Sequence, residues 1–454
     1  MFSKILVANR GEIAVRIIRA CKEMGIKTVA VYSEADKEAM HTKLADEAVC
    51  IGPANSSKSY LNMKNILEAA CLTGAEAIHP GFGFLSENAH FARICEESNV
   101  SFIGPSYVVI DKMGNKSNSK ELMKNAGVPV IPGSEGKLNS IEEAKKIASK
   151  IGYPVMLKAS SGGGGKGIRL VYNEKELEEA YPLVKQEAKN AFQDDELYLE
   201  KFIEKPRHVE IQILADKYGN SVYLGERDCS IQRRNQKIIE ESPSTVLDES
   251  LRNKMGRAAM KAVKASGYYN AGTIEFLVDK NRDFYFMEMN TRVQVEHPVT
   301  EMQTGIDIVK EQIKIASGEK LSFTQKDISF SGHTIECRIN AENPEKNFIP
   351  SPGTIKELNL PGGNGIRIDT AIYSGYKIPP VYDSMLAKII AHGNDRKEAI
   401  NKMKRALEEV VIDGIYTNVD FLYEILEDRD FEEGNFDTSF LEFKKHKKEK
   451  LLWF

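Results

Sequence analysis

Five polar side chains occupy every second position of one short stretch: Glu288, Asn290, Arg292, Gln294 and Glu296, directly after the strand-forming run Phe284-Tyr-Phe286. Side chains of an extended chain alternate between faces, so an unbroken strand puts all five on one side. Carboxylate, amide, guanidinium, amide and carboxylate make a poor core and a good seat for an anion and a metal. A solvated face of an antiparallel sheet is the competing reading. The preceding residues narrow the choice. Glu275-Phe-Leu-Val278 has the composition of a second strand, and Asp279-Lys-Asn-Arg-Asp283 carries turn residues. A hairpin centred between Asn281 and Arg282 sets Glu275 directly opposite Glu288, a register that a slip of one residue would destroy. Directly opposed like charges destabilise a sheet. Something must neutralise them, and hard oxygen ligands so placed suit magnesium shared with nucleotide phosphates.

The chain before this hairpin supplies a setting for a nucleotide. Lys4-Ile-Leu-Val-Ala8, Thr28-Val-Ala-Val-Tyr32, Glu76-Ala-Ile-His79 and Ser101-Phe-Ile-Gly104 read as strands. Helical segments separate them, the first with Ile13, Ile17, Ile18 and Cys21 at helical spacing and Gly25 as its stop. That alternation predicts an open parallel sheet over residues 1–112. The loop His79-Pro-Gly-Phe-Gly-Phe-Leu-Ser-Glu-Asn88 follows a strand, where ligands of such sheets collect; a plain turn is the alternative. Residues 111–126 read as a short polar helical region bearing Lys116, and 128–133 as a linker. Ser140 and Glu143 suggest a capping box.

Predicted strands at 154–158 and 168–172 flank Ala159-Ser-Ser-Gly-Gly-Gly-Gly-Lys-Gly167. A dinucleotide fingerprint must open a helix, and here a strand follows. A Walker loop needs Ser or Thr after its lysine, where Gly167 stands. What remains is a mobile glycine hairpin whose backbone amides fold over phosphates, with Lys158 reaching the same oxygens; a flexible linker is the alternative. A strand over 196–203 ends in Glu200, Lys201 and Ile203, whose backbone can meet an adenine edge. His208, Glu210 and Gln212 share one face of a strand over 208–214, as a site or as structure. Gln232, Arg233, Arg234 and Lys237 crowd a segment pinned by Ile231, Ile238 and Ile239, which favours an anion site at Lys237 over a solvated charge run.

From about 330 the pattern is strand-rich. Glu336, Arg338 and Asn340 share a face of a strand over 334–340, and a strand over 385–390 precedes a helix over 395–410. The expected class is α/β, α+β overall, in three parts: 1–112, 113–330 with a lid at about 131–203, and 331–446, then a charged tail at 447–454. Among 454 residues the net charge is −4, and no apolar run approaches the roughly 20 residues of a membrane helix. Neither nucleic acid nor membrane is expected as a partner. Six scattered cysteines without a Cys-x-x-Cys pair fit a reducing compartment. Met1-Phe-Ser-Lys4 runs straight into a strand, so the expectation is a cytoplasmic chain without a signal peptide.

Six strings now stand in order along the chain: Leu6-Val-Ala-Asn-Arg-Gly-Glu-Ile-Ala-Val-Arg-Ile-Ile18, the 79–88 loop, Gly162-Gly-Gly-Gly-Lys-Gly167, Gly225-Glu-Arg-Asp-Cys-Ser-Ile-Gln-Arg-Arg234, Glu288-Met-Asn-Thr-Arg-Val-Gln-Val-Glu-His-Pro-Val-Thr-Glu301 and Glu336-Cys-Arg-Ile-Asn-Ala-Glu342. Together they resemble the biotin carboxylase family of the ATP-grasp superfamily, over nearly the whole length. The resemblance implies that ATP phosphorylates bicarbonate to carboxyphosphate, and that the carboxyl group passes to N1 of biotin. It implies nucleotide contacts at Lys116, Lys158, Gly163, Gly164, Gly165, Glu200, Lys201, Ile203, His208, Gln232 and Asn235. It implies Mg2+ or Mn2+ ligands at Glu275, Glu288 and Asn290. Lys237, Arg292, Gln294 and Val295 would cradle bicarbonate, Glu296 would be its base, and Phe82 and Arg338 would face biotin, Arg338 stabilising the enolate. Arg292 is expected to keep Glu296 ionised.

Three positions depart from the family pattern. Asn235 replaces a frequent nucleotide-contacting His, Phe82 a frequent Tyr, and Asn364 an aromatic at the dimer contact, although Arg19 and Glu23 of that contact are present. No Ala-Met-Lys-Met string occurs. Biotin is therefore expected on a separate carboxyl carrier protein, with a carboxyltransferase taking the product and a homodimer as the assembly. The resemblance fits a component of an acetyl-CoA carboxylase of fatty acid biosynthesis or of a two-subunit pyruvate carboxylase. Another ATP-grasp carboxylate–amine ligase would not need Arg338 or the Arg-x-Gln-x-Glu string. A non-catalytic nucleotide-binding regulator would have lost Lys237, Arg292 or Glu296.

Overall fold

Strand β1 (Lys4–Val7) buries Ile5, Leu6 and Val7 completely. A strand apolar on both faces needs cover on both, the habit of parallel sheets flanked by helices. β2 (Lys27–Ser33), β3 (Glu47–Gly52), β4 (Ala77–His79) and β5 (Ser101–Phe102) join it in a parallel sheet of order β3-β2-β1-β4-β5. The helix Gly11–Glu23 packs Ile13, Ile17, Ile18 and Cys21 on one face, and Ile66 and Phe91 help fill the other. β3 carries no clear strand pattern because it is an edge strand with mostly exposed side chains. The computed structural model describes residues 1–159, 168–192, 196–442 and 444. The glycine loop with Gly163, Gly164 and Gly165, and the tail at 447–454, lie outside the described residues.

The polar region at 111–126 is divided between two helices, Tyr107–Gly114 and Lys116–Asn125. Asn115 caps the second, its side chain accepting from the Asn118 amide, so Lys116 opens that helix. Ser140 caps Ile141–Ile151 through the Glu143 amide at 3.2 Å. The Glu143 carboxylate accepts from Asn139 N at 2.8 Å, one residue before the partner a capping box requires. β6 (Val155–Ala159) pairs antiparallel with β7 (Ile168–Val171) and β8 (Leu197–Lys201). The helices Ile141–Ile151 and Glu174–Phe192 share a core with these strands.

The remaining strands are β9 (Arg207–Ala215), β10 (Ser221–Arg233), β11 (Gln236–Ser242), β12 (Asn270–Val278), β13 (Phe284–Asn290), β14 (His333–Asn340), β15 (Glu342–Asn343), β16 (Ile349–Pro350), β17 (Leu358–Asn359), β18 (Ile366–Thr370), β19 (Met385–Gly393) and β20 (Val411–Ile412). One eight-stranded antiparallel sheet has the order β13-β12-β9-β10-β11-β14-β19-β18. It runs across position 330 without a break, because β11 pairs with β14. The segment that reads as a short charged run at 229–242 is a hairpin. Its two turn residues, Arg234 at φ 50° and Asn235 at φ 64°, supply the left-handed pair that a two-residue hairpin turn demands.

β12 and β13 form the expected hairpin by an unexpected route. Near the turn the partners are Val278 with Phe284 and Phe276 with Phe286. Continued unchanged, that register would set Glu275 against Met287. A bulge between Phe286 and Glu288 absorbs Met287, and Glu275 faces Glu288 after all. The regular alternation stops at Asn290. Residues 291–296 turn into the helix His297–Thr304, with Glu296 as its N-cap residue.

Candidate active site

β9 is buried along its whole length, although His208, Glu210 and Gln212 alternate along it. Buried polar groups need partners, and neighbouring strands supply them. Arg227 on β10 is the ladder partner of Glu210 and is fully buried. Its Nε donates to Glu210 Oε1 at 2.6 Å, its Nη1 to Gln212 Oε1 at 2.7 Å and Thr300 Oγ1 at 2.8 Å, and its Nη2 to Gln294 Oε1 at 2.7 Å. Lys237 on β11 donates to Glu210 Oε2 and Glu296 Oε1, both at 2.6 Å, and to Glu275 Oε1 at 3.1 Å. Asn290 Nδ2 and Gln294 Nε2 donate to that same Glu275 oxygen, at 2.8 and 2.7 Å. His208 Nε2 lies 2.9 Å from Glu275 Oε2, and its Nδ1 lies 2.7 Å from Gln232 Nε2. Side chains from five strands, β9 to β13, and from the 291–296 turn thus converge around one ammonium.

The electrostatics follow from that convergence. Burial alone would raise the Glu296 carboxyl; Lys237, Arg338 and Arg227 outweigh it and hold Glu296 well below the usual carboxylate range. Burial also pushes Glu275 upward, and Lys237 and His208 overcome it. For Glu210 burial wins, and its carboxyl is raised despite Lys237 and Arg227. Burial would lower the Lys237 ammonium, but Glu210 and Glu296 lift it well above the usual lysine range. Arg292 is not what keeps Glu296 ionised. Its Nε donates to Glu87 Oε2 at 2.8 Å and its Nη2 to Asn290 Oδ1 at 2.9 Å. The reason is the turn after Asn290, which ends the shared face on which that expectation rested.

At the end of β8, Glu200 accepts from Lys158 Nζ and Lys120 Nζ, each at 2.6 Å. Lys116 Nζ stands 3.5 Å from Glu288 Oε2 and is largely exposed. Lys201 Nζ donates to the carbonyls of Gly152 and Tyr153, at 3.0 and 2.8 Å. Ile203 is buried, and Asn235 is exposed at its hairpin turn. Glu275, Glu288 and the Asn290 amide oxygen offer oxygen ligands only, the chemistry a magnesium or manganese ion takes.

On the other side of Glu296, Arg338 Nη2 on β14 stands 3.0 Å from Oε2. The Val295 carbonyl accepts from the fully buried Lys388 at 2.7 Å. Phe82 is partly buried against the core of the N-terminal sheet, its carbonyl accepting from Asn9 Nδ2 at 2.7 Å. Arg227, Glu87, Lys120, Glu240 and Lys388 were not singled out in the sequence. Arg227 had one signal, its position opposite Glu210, but a bulge between Tyr223 and Glu226 shifts that register.

Three family models match in succession. They are the biotin carboxylase N-terminal domain over residues 1–110, the ATP binding domain of the carbamoyl-phosphate synthase L chain over 115–324, and the biotin carboxylase C-terminal domain over 336–443. The chain is 61% identical over 443 residues to biotin carboxylase 1 of Bacillus subtilis, covering 97% of this chain and 98% of that one. It is 57% identical over 441 residues to the biotin carboxylase of a Nostoc species, covering 97% and 99%. It matches the crystal structure of the biotin carboxylase domain dimer of Hydrogenobacter thermophilus 2-oxoglutarate carboxylase in complex with MgADP, ADP and bicarbonate, with a TM-score of 0.90, 56% identity and 98% coverage of each chain.

Proposed function

This chain belongs to the biotin carboxylase family, and from that premise we propose which of its residues carry each step. The enzyme is an ATP-dependent ligase that carboxylates biotin with bicarbonate, using Mg2+. Lys116, Lys158, Glu200, Lys201, Ile203, His208, Gln232 and Asn235 hold the nucleotide, with Gly163, Gly164 and Gly165 over its phosphates. Glu275, Glu288 and Asn290 hold the metal, which supplies positive charge to the phosphate oxygens when bound. Lys237, Arg292, Gln294 and Val295 seat bicarbonate. Phosphoryl transfer depends mainly on positioning and charge neutralisation, and this set provides both.

Glu296 removes the bicarbonate proton as the bicarbonate oxygen attacks the γ-phosphorus and ADP leaves. Phe82 and Arg338 meet biotin. The C–O bond of carboxyphosphate breaks, the released phosphate takes the N1 proton, and N1 bonds to the carboxyl carbon, while Arg338 stabilises the negative charge on the ureido oxygen. The observation that carries this reading is the pair of cations on Glu296: Lys237 at Oε1 and Arg338 at Oε2. A base must be ionised, and these two keep it so. The three-part division near 112 and 330 assigns the nucleotide to the middle part. A biotin carboxyl carrier protein brings biotin, a carboxyltransferase removes the carboxyl group, and two copies pair through the face bearing Arg19 and Glu23. The test is Glu296→Ala. It is expected to abolish bicarbonate-dependent ATP hydrolysis with an unchanged circular dichroism spectrum; retained hydrolysis would overturn the assignment of the base.

A further inference from the structure

Two carboxylates without a role in the steps above lie beneath Arg338. Glu240 on β11 and Glu336 on β14 are direct ladder partners, and both are fully buried. In the same sheet Glu275 already faces two directly opposed glutamates, Glu288 on one side and Glu210 on the other; that group is eased by a bulge and by Lys237, which donates to both Glu275 and Glu210. The Glu240–Glu336 pair sits in a ladder that runs regularly from Ile239 and Cys337 to Ser242 and Thr334. Neither carboxylate has an aligned hydrogen bond among the described residues. Burial raises Glu240 to about 7 against the pull of Arg338, and it pushes Glu336 well above the carboxylate range against Lys388. An opposed buried pair favours sharing a single proton, and the ion pair of Glu240 with Arg338 favours leaving the charge on Glu240 and the proton on Glu336. Arg338 Nη2 stands 2.5 Å from Glu240 Oε1 and 3.0 Å from Glu296 Oε2. A single guanidinium nitrogen is shared between the base and a carboxylate behind it.

We propose that Glu240 is a positioning residue for biotin carboxylation: it keeps the Arg338 guanidinium in place after Glu296 has taken the bicarbonate proton. At that moment Glu296 is neutral and its ion pair with Arg338 is gone. A buried guanidinium left without a carboxylate is strongly disfavoured and would swing toward water. Glu240 prevents this, so the donor is already aimed when the ureido oxygen arrives, and no reorganisation is needed at the reactive step. The inference rests on the reading of Arg338 as the residue that meets biotin.

The experiment compares Glu240→Gln, Glu336→Gln and Arg338→Ala in the full chain, with free biotin as acceptor. Each is assayed for bicarbonate-dependent ATP hydrolysis without biotin and for biotin carboxylation, and circular dichroism checks the fold. Glu240→Gln is expected to lower kcat/KM for carboxylation at least about ten-fold more than it lowers ATP hydrolysis, and Glu240→Asp to restore part of the difference. Glu336→Gln removes the opposed group and leaves Glu240 on Arg338, so both rates should stay within about two-fold of the native values. Arg338→Ala should show the same preference for loss of carboxylation as Glu240→Gln. Equal loss of both activities in Arg338→Ala would overturn the reading of Arg338 itself. If Arg338→Ala shows the preference and Glu240→Gln does not, or if Glu336→Gln behaves like Glu240→Gln, the role of Glu240 is overturned.

Discussion

Lys237→Met removes the ammonium and keeps the length of the apolar stem. In the native protein Nζ has Glu210 and Glu296 at 2.6 Å and Glu275 at 3.1 Å, and the side chain is only 13% exposed. At an effective dielectric of about 20 a unit pair at about 4 Å attracts by about 4 kcal/mol, and these pairs are closer. Much of that attraction only offsets the desolvation of the ammonium. The net cost comes from what stays behind: three buried carboxylates around a thioether. Breaking a buried pair by removing one partner costs about 3–5 kcal/mol. The cost does not triple, because Arg227 still holds Glu210, Arg338 still holds Glu296, and His208 still faces Glu275. The expected loss is therefore about 3–5 kcal/mol near pH 8.

The pH dependence has a definite sign. In the native protein Glu275 and Glu296 are held below their unfolded values, mainly by Lys237 acting against burial. Their contribution is present above the unfolded carboxylate value and is lost as pH falls through the depressed one. Without Lys237 burial dominates and lifts the folded values above the unfolded ones. The folded variant then binds more protons than the unfolded chain, and its stability falls as pH rises. The gap between native protein and variant should narrow on going from about pH 8 to about pH 6. Urea unfolding followed by circular dichroism at both values measures it, alongside bicarbonate-dependent ATP hydrolysis, which should be at background. A gap below about 1 kcal/mol, or one equal at both pH values, would refute the claim that Lys237 neutralises these carboxylates.

Two further outcomes follow from other contacts. Glu87 accepts from Arg292 Nε at 2.8 Å and from Thr291 N at 3.0 Å; Glu87→Ala frees both, so initial-rate kinetics should show the bicarbonate KM raised by about ten-fold and the ATP KM unchanged. Burial holds the His41 imidazole down to about 4, so the unfolded chain takes up a proton there below about pH 6.5 and the folded one does not until about pH 4, which removes about 3 kcal/mol of stability across that window. Unfolding midpoints for His41→Gln should fall less steeply over the same range than those of the native protein, and parallel profiles would exclude His41 as a source of the acid sensitivity.

The N-terminal sheet is legible in the sequence because its inner strands are apolar on both faces, and burial is the only reading such runs allow. The edge strand Glu47–Gly52 is not, since an edge strand half in water has no such pattern. The hairpin form of the charged segment at 229–242, and the place of Arg227 beside it, are hidden for a related reason. The isoleucines around Lys237 mark it as an anion site but not what it touches, and the partners of both cations lie far along the chain: 17 residues away for Arg227 with Glu210, 59 for Lys237 with Glu296. Local spacing cannot see such pairs, whereas the family strings point to individual side chains without saying what each one touches.

The opposed glutamates show the limit of spacing arithmetic most clearly. Glu275 does face Glu288, yet the turn is centred on Asn281, half a residue from the assumed centre, and Met287 makes up the difference by bulging out. Nothing in the identity of Met287 announces a bulge. The bulge is explained by what it achieves: it brings Glu288 opposite Glu275 at the last pairs of the strand, just before the chain leaves the ladder at Asn290 for the 291–296 turn. Bulges gather beside active sites because they re-aim side chains there. In this hairpin the register that sets Glu275 opposite Glu288 and the register that the turn prefers differ by one residue. The chain reconciles them at the residue immediately before the proposed metal ligand, where an unpaired backbone position faces the fewest further ladder bonds to disturb.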